Sequence, residues 1–158
     1  MNIIKLEIDH RLKKFKKDCK NAGAKCTNQR LEIFKDLIKN SEHPDAETVF
    51  QNVRKRMPKI SLDTVYRTLW LLKDLGLITT LGPPRERTHF DADLSNHHHF
   101  ICNLCGATSD IYSKELNEFK IPGHVKIIDE AEMLQVTIHG VCITCTKSRV
   151  KKNKGENI

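Results

Sequence analysis

Asn96-His97-His98-His99-Phe100-Ile101-Cys102-Asn103-Leu104-Cys105-Gly106 carries three of the chain's eight histidines and two of its six cysteines. Cys102 and Cys105 form a C-x-x-C pair closed by glycine, and Cys142-Ile143-Thr144-Cys145 repeats the spacing. Such a knuckle turns two thiolates toward one ion, and two knuckles complete a tetrahedral set of four sulfurs. That set suits Zn2+, which is redox-inert and has no geometric preference from its d-electrons. The gap between the knuckles is longer than in a compact zinc ribbon, so the chain between them is expected to fold. Redox-active or merely buried thiols are the alternative, and two matched knuckles argue against it.

The histidines ask for a different site. In a strand His97 and His99 share one face and His98 points to the other. Asp91 precedes them and Asp110 follows. Imidazole with carboxylate is a borderline-to-hard donor set, open to Fe2+, Mn2+, Co2+ or Zn2+. A bare H-x-H is weak alone; its place beside a knuckle strengthens it.

At 158 residues the chain can form one ordinary domain or two small ones. It shows neither an apolar run long enough for a membrane helix nor a signal-peptide pattern, so a cytoplasmic protein is expected. A reducing compartment agrees with four cysteines in metal-type pairs. The net charge of +7 is unevenly spread. Met1 to Thr88 holds 19 Lys/Arg against 11 Asp/Glu, whereas His89 to Thr146 holds 3 against 8. A basic half joined to an acidic, ligand-rich half implies one module for a polyanion and another for cations.

In chain order, residues 5–21 read as a helix with Leu12, Phe15 and Cys19 at helical spacing, stopped at Gly23. Cys19 reads as core, and Cys26 is left unassigned. Thr27 or Asn28 can cap a second helix carrying Leu31, Ile33, Phe34, Leu37 and Ile38. Ser41-Glu42-His43-Pro44 breaks it. Asp45 opens a third helix over residues 46–57, which Pro58 ends. Ser61 to Thr64 starts a fourth, running to Gly76, with Val65, Leu69, Leu72 and Leu75 buried and Tyr66 and Arg67 outward. Residues 77–82 and 88–93 read as strands around the basic tip Pro83-Pro84-Arg85-Glu86-Arg87. Helices followed by such a hairpin make a winged helix-turn-helix, with the fourth helix entering the DNA major groove. A helical bundle with a solvated basic face is the blander reading; the charge division favours DNA.

Beyond Asp93 the pattern turns to strands at HHFICN and ATSDIY, a short helix at SKELNEF, and two further strand segments across residues 124–142. The expected architecture is α+β: an N-terminal winged helix-turn-helix domain and a small C-terminal α/β dimerisation domain with structural zinc. The boundaries are 1–90, 91–146, and a charged flexible tail at 147–158.

These residues resemble the ferric uptake regulator family of metal-dependent bacterial transcription factors. The resemblance rests on Thr27-Asn28-Gln29-Arg30, His43-Pro44, Thr64-Val65-Tyr66-Arg67-Thr68-Leu69, His97-x-His99-x-x-Cys102-x-x-Cys105-Gly106 and Gly140-Val141-Cys142-x-x-Cys145. It implies a homodimer on a palindromic double-stranded operator, repression as the output, and a regulatory Fe2+ or Mn2+ held by His43, Asp91, His97, His99 and Asp110. The structural zinc would take Cys102, Cys105, Cys142 and Cys145. DNA contacts would come from Lys13, Lys14, Arg30, Ser61, Thr64, Tyr66 and Arg67, with the lysines and Arg30 on phosphates and Tyr66 and Arg67 in the groove.

Asp110 and Asp91 resemble the family's peroxide-sensing repressors, since iron-uptake regulators usually carry Glu at the former. Tyr66-Arg67-Thr68-Leu69 looks more like the iron-uptake type. The expectation adopted is peroxide sensing through metal-catalysed oxidation of His43 or His97, with an iron-responsive regulator as the alternative. A facial-triad Fe2+ oxygenase built on His97, His99 and one Asp is disfavoured: five protein ligands leave little room for substrate.

Overall fold

The computed structural model describes residues 3–81, 88–120 and 134–155. It divides into two units, Met1–Leu94 and Ser95–Ile158. The division falls four residues after the expected boundary, so Asp91 belongs to the first unit and not the second. Two expected features, the basic tip at 83–87 and the first strand segment after His124, lie outside the described residues.

The first unit holds helices α1 (Ile3–Asn21), α2 (Asn28–Lys39), α3 (Ala46–Arg54) and α4 (Leu62–Asp74), then strands β1 (Thr79–Leu81) and β2 (His89–Asp91). Each of the last three helices starts where a short polar side chain accepts a backbone N–H otherwise left unpaired. Thr27 accepts from Arg30 N at 3.3 Å, Asp45 from Thr48 N at 2.8 Å and Ser61 from Thr64 N at 3.1 Å. α3 stops at Arg54, three residues short of expectation. Pro58 disfavours a helical backbone at Met57, and the amides of Arg56 and Met57 both turn back onto Val53 O.

The stripes of these helices close on one core. Phe15, Ile33, Phe34, Val49, Val53, Val65, Leu69 and Leu72 are fully shielded, and Phe15 meets Phe34 edge-on at 5.3 Å. Each such side chain contributes about 1.5–3 kcal/mol by leaving water. Leu75 is only half-buried. Arg56, two residues beyond α3, ties that helix end to α2 through Asp36 at 2.8 Å and Glu32 at 3.3 Å. β1 and β2 pair antiparallel, Thr80 opposite Phe90. Phe90 N also donates to Pro44 O at 3.0 Å, and Asp45 bridges His89, so the loop before α3 lies along β2.

The second unit contains β3 (His98–Cys102), β4 (Thr108–Ile111), α5 (Lys114–Asn117), β5 (Thr137–Gly140) and α6 (Ile143–Gly155). The sheet order is β4-β3-β5, with β3 antiparallel to β4 and parallel to β5. α6 carries helix into the segment expected from residue 147 to be a flexible tail, ending at Gly155. Its run of lysines is charged, but unbranched lysine is a good helix former. Among the described residues no helix is long and apolar enough to cross a membrane.

Candidate metal centres

Parallel pairing of β3 with β5 places Cys102 opposite Gly140, so both strands run out at the same end of the sheet. The two knuckles therefore emerge side by side, and the Sγ atoms of Cys102, Cys105, Cys142 and Cys145 lie within 4.8 Å of one another. Asn103 N donates to Gly140 O at 2.7 Å where the strands end. Gly106 turns the first knuckle with φ +71°, a backbone that a side chain would strain. A Cβ at Gly140 would meet the Phe100 ring at 3.2 Å, which the close strand approach does not favour.

The sulfurs sit among amide donors. Cys142 N donates to Cys102 Sγ at 3.3 Å and Cys145 N to Cys142 Sγ at 3.4 Å. Hydrogen bonds from the backbone of Cys142, Cys105 and Leu104 pull the Cys102 thiol down to about 6. Hydrogen bonds to Cys142 and Cys105 push Cys145 up to about 12. The Cys102 thiolate is thus stabilised, while loss of the Cys145 proton is resisted, first by its hydrogen bonds to the neighbouring sulfurs and last by the charge on Cys102. A divalent cation removes that resistance, and the donor set fits Zn2+.

A second cluster lies on the same sheet. His97 Nε2 and His99 Nε2 are 3.0 Å apart, and Asp110 Oδ1 stands 3.7 Å from each. His99 and Asp110 are register partners across β3 and β4. His97 Nδ1 lies 2.9 Å from Ser95 O and donates its proton there, which leaves the Nε2 lone pair for a cation. Two imidazole lone pairs this close repel unless a proton or metal ion lies between them. The alternation expected of the three histidines holds. His98 turns the other way, accepting from Val136 N at 3.1 Å and donating to Asn117 Oδ1 at 2.9 Å. That makes it a tie between β3, α5 and the approach to β5.

In the first unit, His43 and Asp91 come together because the loop before α3 runs along β2. His43 Nε2 and Asp91 Oδ2 are 3.6 Å apart, both buried. His43 has φ +49°, an uncommon backbone for a side chain. Its carbonyl accepts from His89 Nδ1 at 2.6 Å, and Asp93 N holds Asp91 Oδ1 at 2.7 Å. Arg11 on α1 donates to Ala92 O, anchoring the same segment. Burial lowers the Arg11 pKa, against the attraction of Glu7, Asp93 and Asp91. Sequence reading missed Arg11 and His89; neither belongs to a short motif, and Arg11 lies 81 positions from its acceptor.

Of the residues expected at DNA, Tyr66 and Arg67 project from the first turns of α4 and are exposed. Arg67 Nε pairs with Asp63 at 3.0 Å, one helical turn back. Ser61 and Thr64 share a hydroxyl hydrogen bond of 2.8 Å, so both also serve the cap. Lys13 and Lys14 are exposed on α1, while Arg30 spends one guanidinium nitrogen on Lys25 O at 2.6 Å. Trp70, one turn beyond Tyr66, is 42% exposed and was not singled out. It joins Tyr66 and Phe90 in lining a cleft of about 160 Å³.

Comparison with known proteins agrees with this anatomy. The chain is 33% identical to a peroxide-responsive repressor (PerR) of Staphylococcus epidermidis over 87% of its own length and 92% of the relative's. A Campylobacter jejuni peroxide stress regulator superposes with TM-score 0.64 at 28% identity, covering 92% of this chain and 100% of the other. The ferric uptake regulator of Helicobacter pylori shares the fold with TM-score 0.77 at 21% identity, covering 88% and 93%. The sequence model described as the ferric uptake regulator family matches residues 21–126. The chain belongs to the ferric uptake regulator family of metal-responsive repressors.

Proposed function

We propose that the chain is a homodimeric, metal-dependent repressor of a palindromic operator that is released from DNA when peroxide oxidises its histidine ligands. The observation that carries the reading is the convergence of His97, His99 and Asp110 on one point of the β3–β4 sheet. Identity to a peroxide-responsive repressor over most of both chains supports it.

The four cysteines would hold structural zinc, stabilising a unit in which, among the described residues, few apolar side chains are buried. His43 and Asp91 would join His97, His99 and Asp110 in holding Fe2+ or Mn2+. Ligands contributed by both units would fix the operator-binding arrangement, which is otherwise a minor population. Fe2+, when bound, supplies the electrons that activate hydrogen peroxide beside its own ligands. His43 or His97 would then gain an oxygen atom on the ring. A 2-oxo-imidazole coordinates poorly, so the linkage loosens and repression ends.

The test is operator binding with Fe2+ or Mn2+, each with and without a small dose of hydrogen peroxide. DNA selected from promoter fragments by the Mn2+ form serves as the operator. The Fe2+ form should lose DNA and gain about 16 Da on peptides holding His43 or His97; the Mn2+ form should do neither. An Fe2+ form that stays bound and unmodified marks an iron-responsive regulator without peroxide sensing.

A further inference from the structure

Tyr112 is one of the chain's two tyrosines and stands outside the expected ligand set. It lies two positions beyond Asp110 and one residue past the end of β4, so strand alternation returns it to the side that Asp110 faces. There its ring lies over His97, with the centroids 5.5 Å apart and the planes 30° from parallel. His97 in turn meets His99 edge-on at 4.6 Å, and its Nε2 is 3.0 Å from His99 Nε2 and 3.7 Å from Asp110 Oδ1. The phenol ring therefore packs on an imidazole that carries one of the three converging donors. His97 and His99 are buried, whereas Tyr112 is 63% exposed. Solvent-borne peroxide and the metal cluster meet at this ring.

We propose that Tyr112 is an oxygenation site: with Fe2+ at the histidines, hydrogen peroxide converts its phenol ring to a catechol. The proposal rests on Fe2+ occupying that cluster, as proposed above, and extends its chemistry to a side chain that is not a ligand. The peroxide O–O bond breaks. One oxygen forms a C–O bond at the ring carbon beside the hydroxyl-bearing one, where a phenol is richest in electrons, and the C–H bond there breaks. The other oxygen leaves as water. The ring loses two electrons, peroxide gains two, and the three hydrogens end on the new hydroxyl and the water. Fe2+ passes the electrons across and carries the same charge afterwards as before, while the protein's part is to hold the ring beside it. Proximity selects Tyr112, because an oxidant formed at the cluster meets this ring at high effective concentration. Oxygen that lands on Tyr112 does not land on His97, so the two rings draw on one supply.

The experiment uses the full chain loaded with zinc and Fe2+ and given a small dose of hydrogen peroxide without air. Tandem mass spectrometry then tells oxygen on Tyr112 from oxygen on His97 or His99. Tyr112 should gain about 16 Da, and a boronate resin, which captures catechols, should retain its peptide. Tyr66, 41% exposed and in the other unit, is the internal control and should stay unmodified. The Mn2+ form and Asp110→Ala given the same iron and peroxide should show no gain at Tyr112. Tyr112→Phe keeps a ring over His97 and should yield no peptide that boronate retains. Oxygen on a histidine with Tyr112 untouched overturns this proposal and leaves peroxide sensing standing. Oxygen on neither overturns both. Equal gain on Tyr66 and Tyr112, or an undiminished gain in Asp110→Ala, traces the oxygen to free oxidant in solution and overturns the site.

Discussion

Asp110 Oδ1 lies 3.7 Å from His99 Nε2, and the two residues face each other in the β3–β4 register. The same oxygen is equally far from His97 Nε2. One short carboxylate thus serves two imidazoles from a rigid strand, so its length sets how closely the three donors can approach an ion.

Asp110→Ala should weaken Mn2+ binding by at least about tenfold, since a charged donor is lost from a built site. Asp110→Glu should keep metal-dependent DNA binding but blunt the response of the Fe2+ form to peroxide. Metal titration and operator binding on the same preparations check both. Unchanged Mn2+ affinity in Asp110→Ala would remove Asp110 from the ligand set.

Cys102→Ser should leave zinc substoichiometric and lower the melting temperature sharply. Structural zinc is worth on the order of 10–16 kcal/mol apparent, more than a domain of this size can lose. Zinc analysis beside a thermal melt reads the outcome. A fully folded dimer without zinc would contradict the assignment.

Tyr66→Ala should cost about 1–3 kcal/mol of operator affinity and relax base preference, because groove contacts carry sequence information. Lys14→Gln should weaken operator and random DNA alike and reduce the salt slope by about one unit. Binding isotherms at several salt concentrations separate the two behaviours. Equal loss on both DNAs for Tyr66→Ala would take it out of the groove.

Cys19 is raised by burial from 9.0 to about 11, so the folded state holds this proton more tightly than the unfolded chain. Its stabilising contribution is complete below pH of about 9 and is lost as pH climbs through about 11. Under reducing conditions the melting temperature of the wild type should therefore fall more steeply across that window than that of Cys19→Ala. The slope is the comparison, because the variant also carries a cavity cost at every pH. Parallel slopes would mean that the thiol ionises without penalty.

Local chemistry made much of this molecule legible. Thr27, Asp45 and Ser61 announced three helix starts because a cap needs only a short acceptor at fixed spacing from an amide. The four cysteines were legible for the same reason, since a knuckle is complete within four residues. What stayed hidden depends on distant chain segments. Nothing near Arg11 points to Ala92, and nothing near Arg56 points to Asp36. His43 reads as part of a helix break, but its left-handed backbone follows from the pairing of Pro44 and Asp45 with β2. The extent of α6 was hidden for another reason: a lysine-rich run suits a helix and a coil equally well.

The parallel pairing of β3 with β5 also dictates an order of events during synthesis. Cys102 cannot meet Cys142 until 40 further residues have been made, whereas α1 to α4 pack largely with near neighbours in the chain. Contacts of short sequence separation form quickly, and those that close long loops form late. The helical half can therefore assemble while the ribosome is still working on the sheet. A chain stopped before β5, or starved of zinc, would carry a shaped helical module on an unfinished partner. Quality control in the cell would meet such a chain as half-native, with β3 an open edge awaiting its second neighbour.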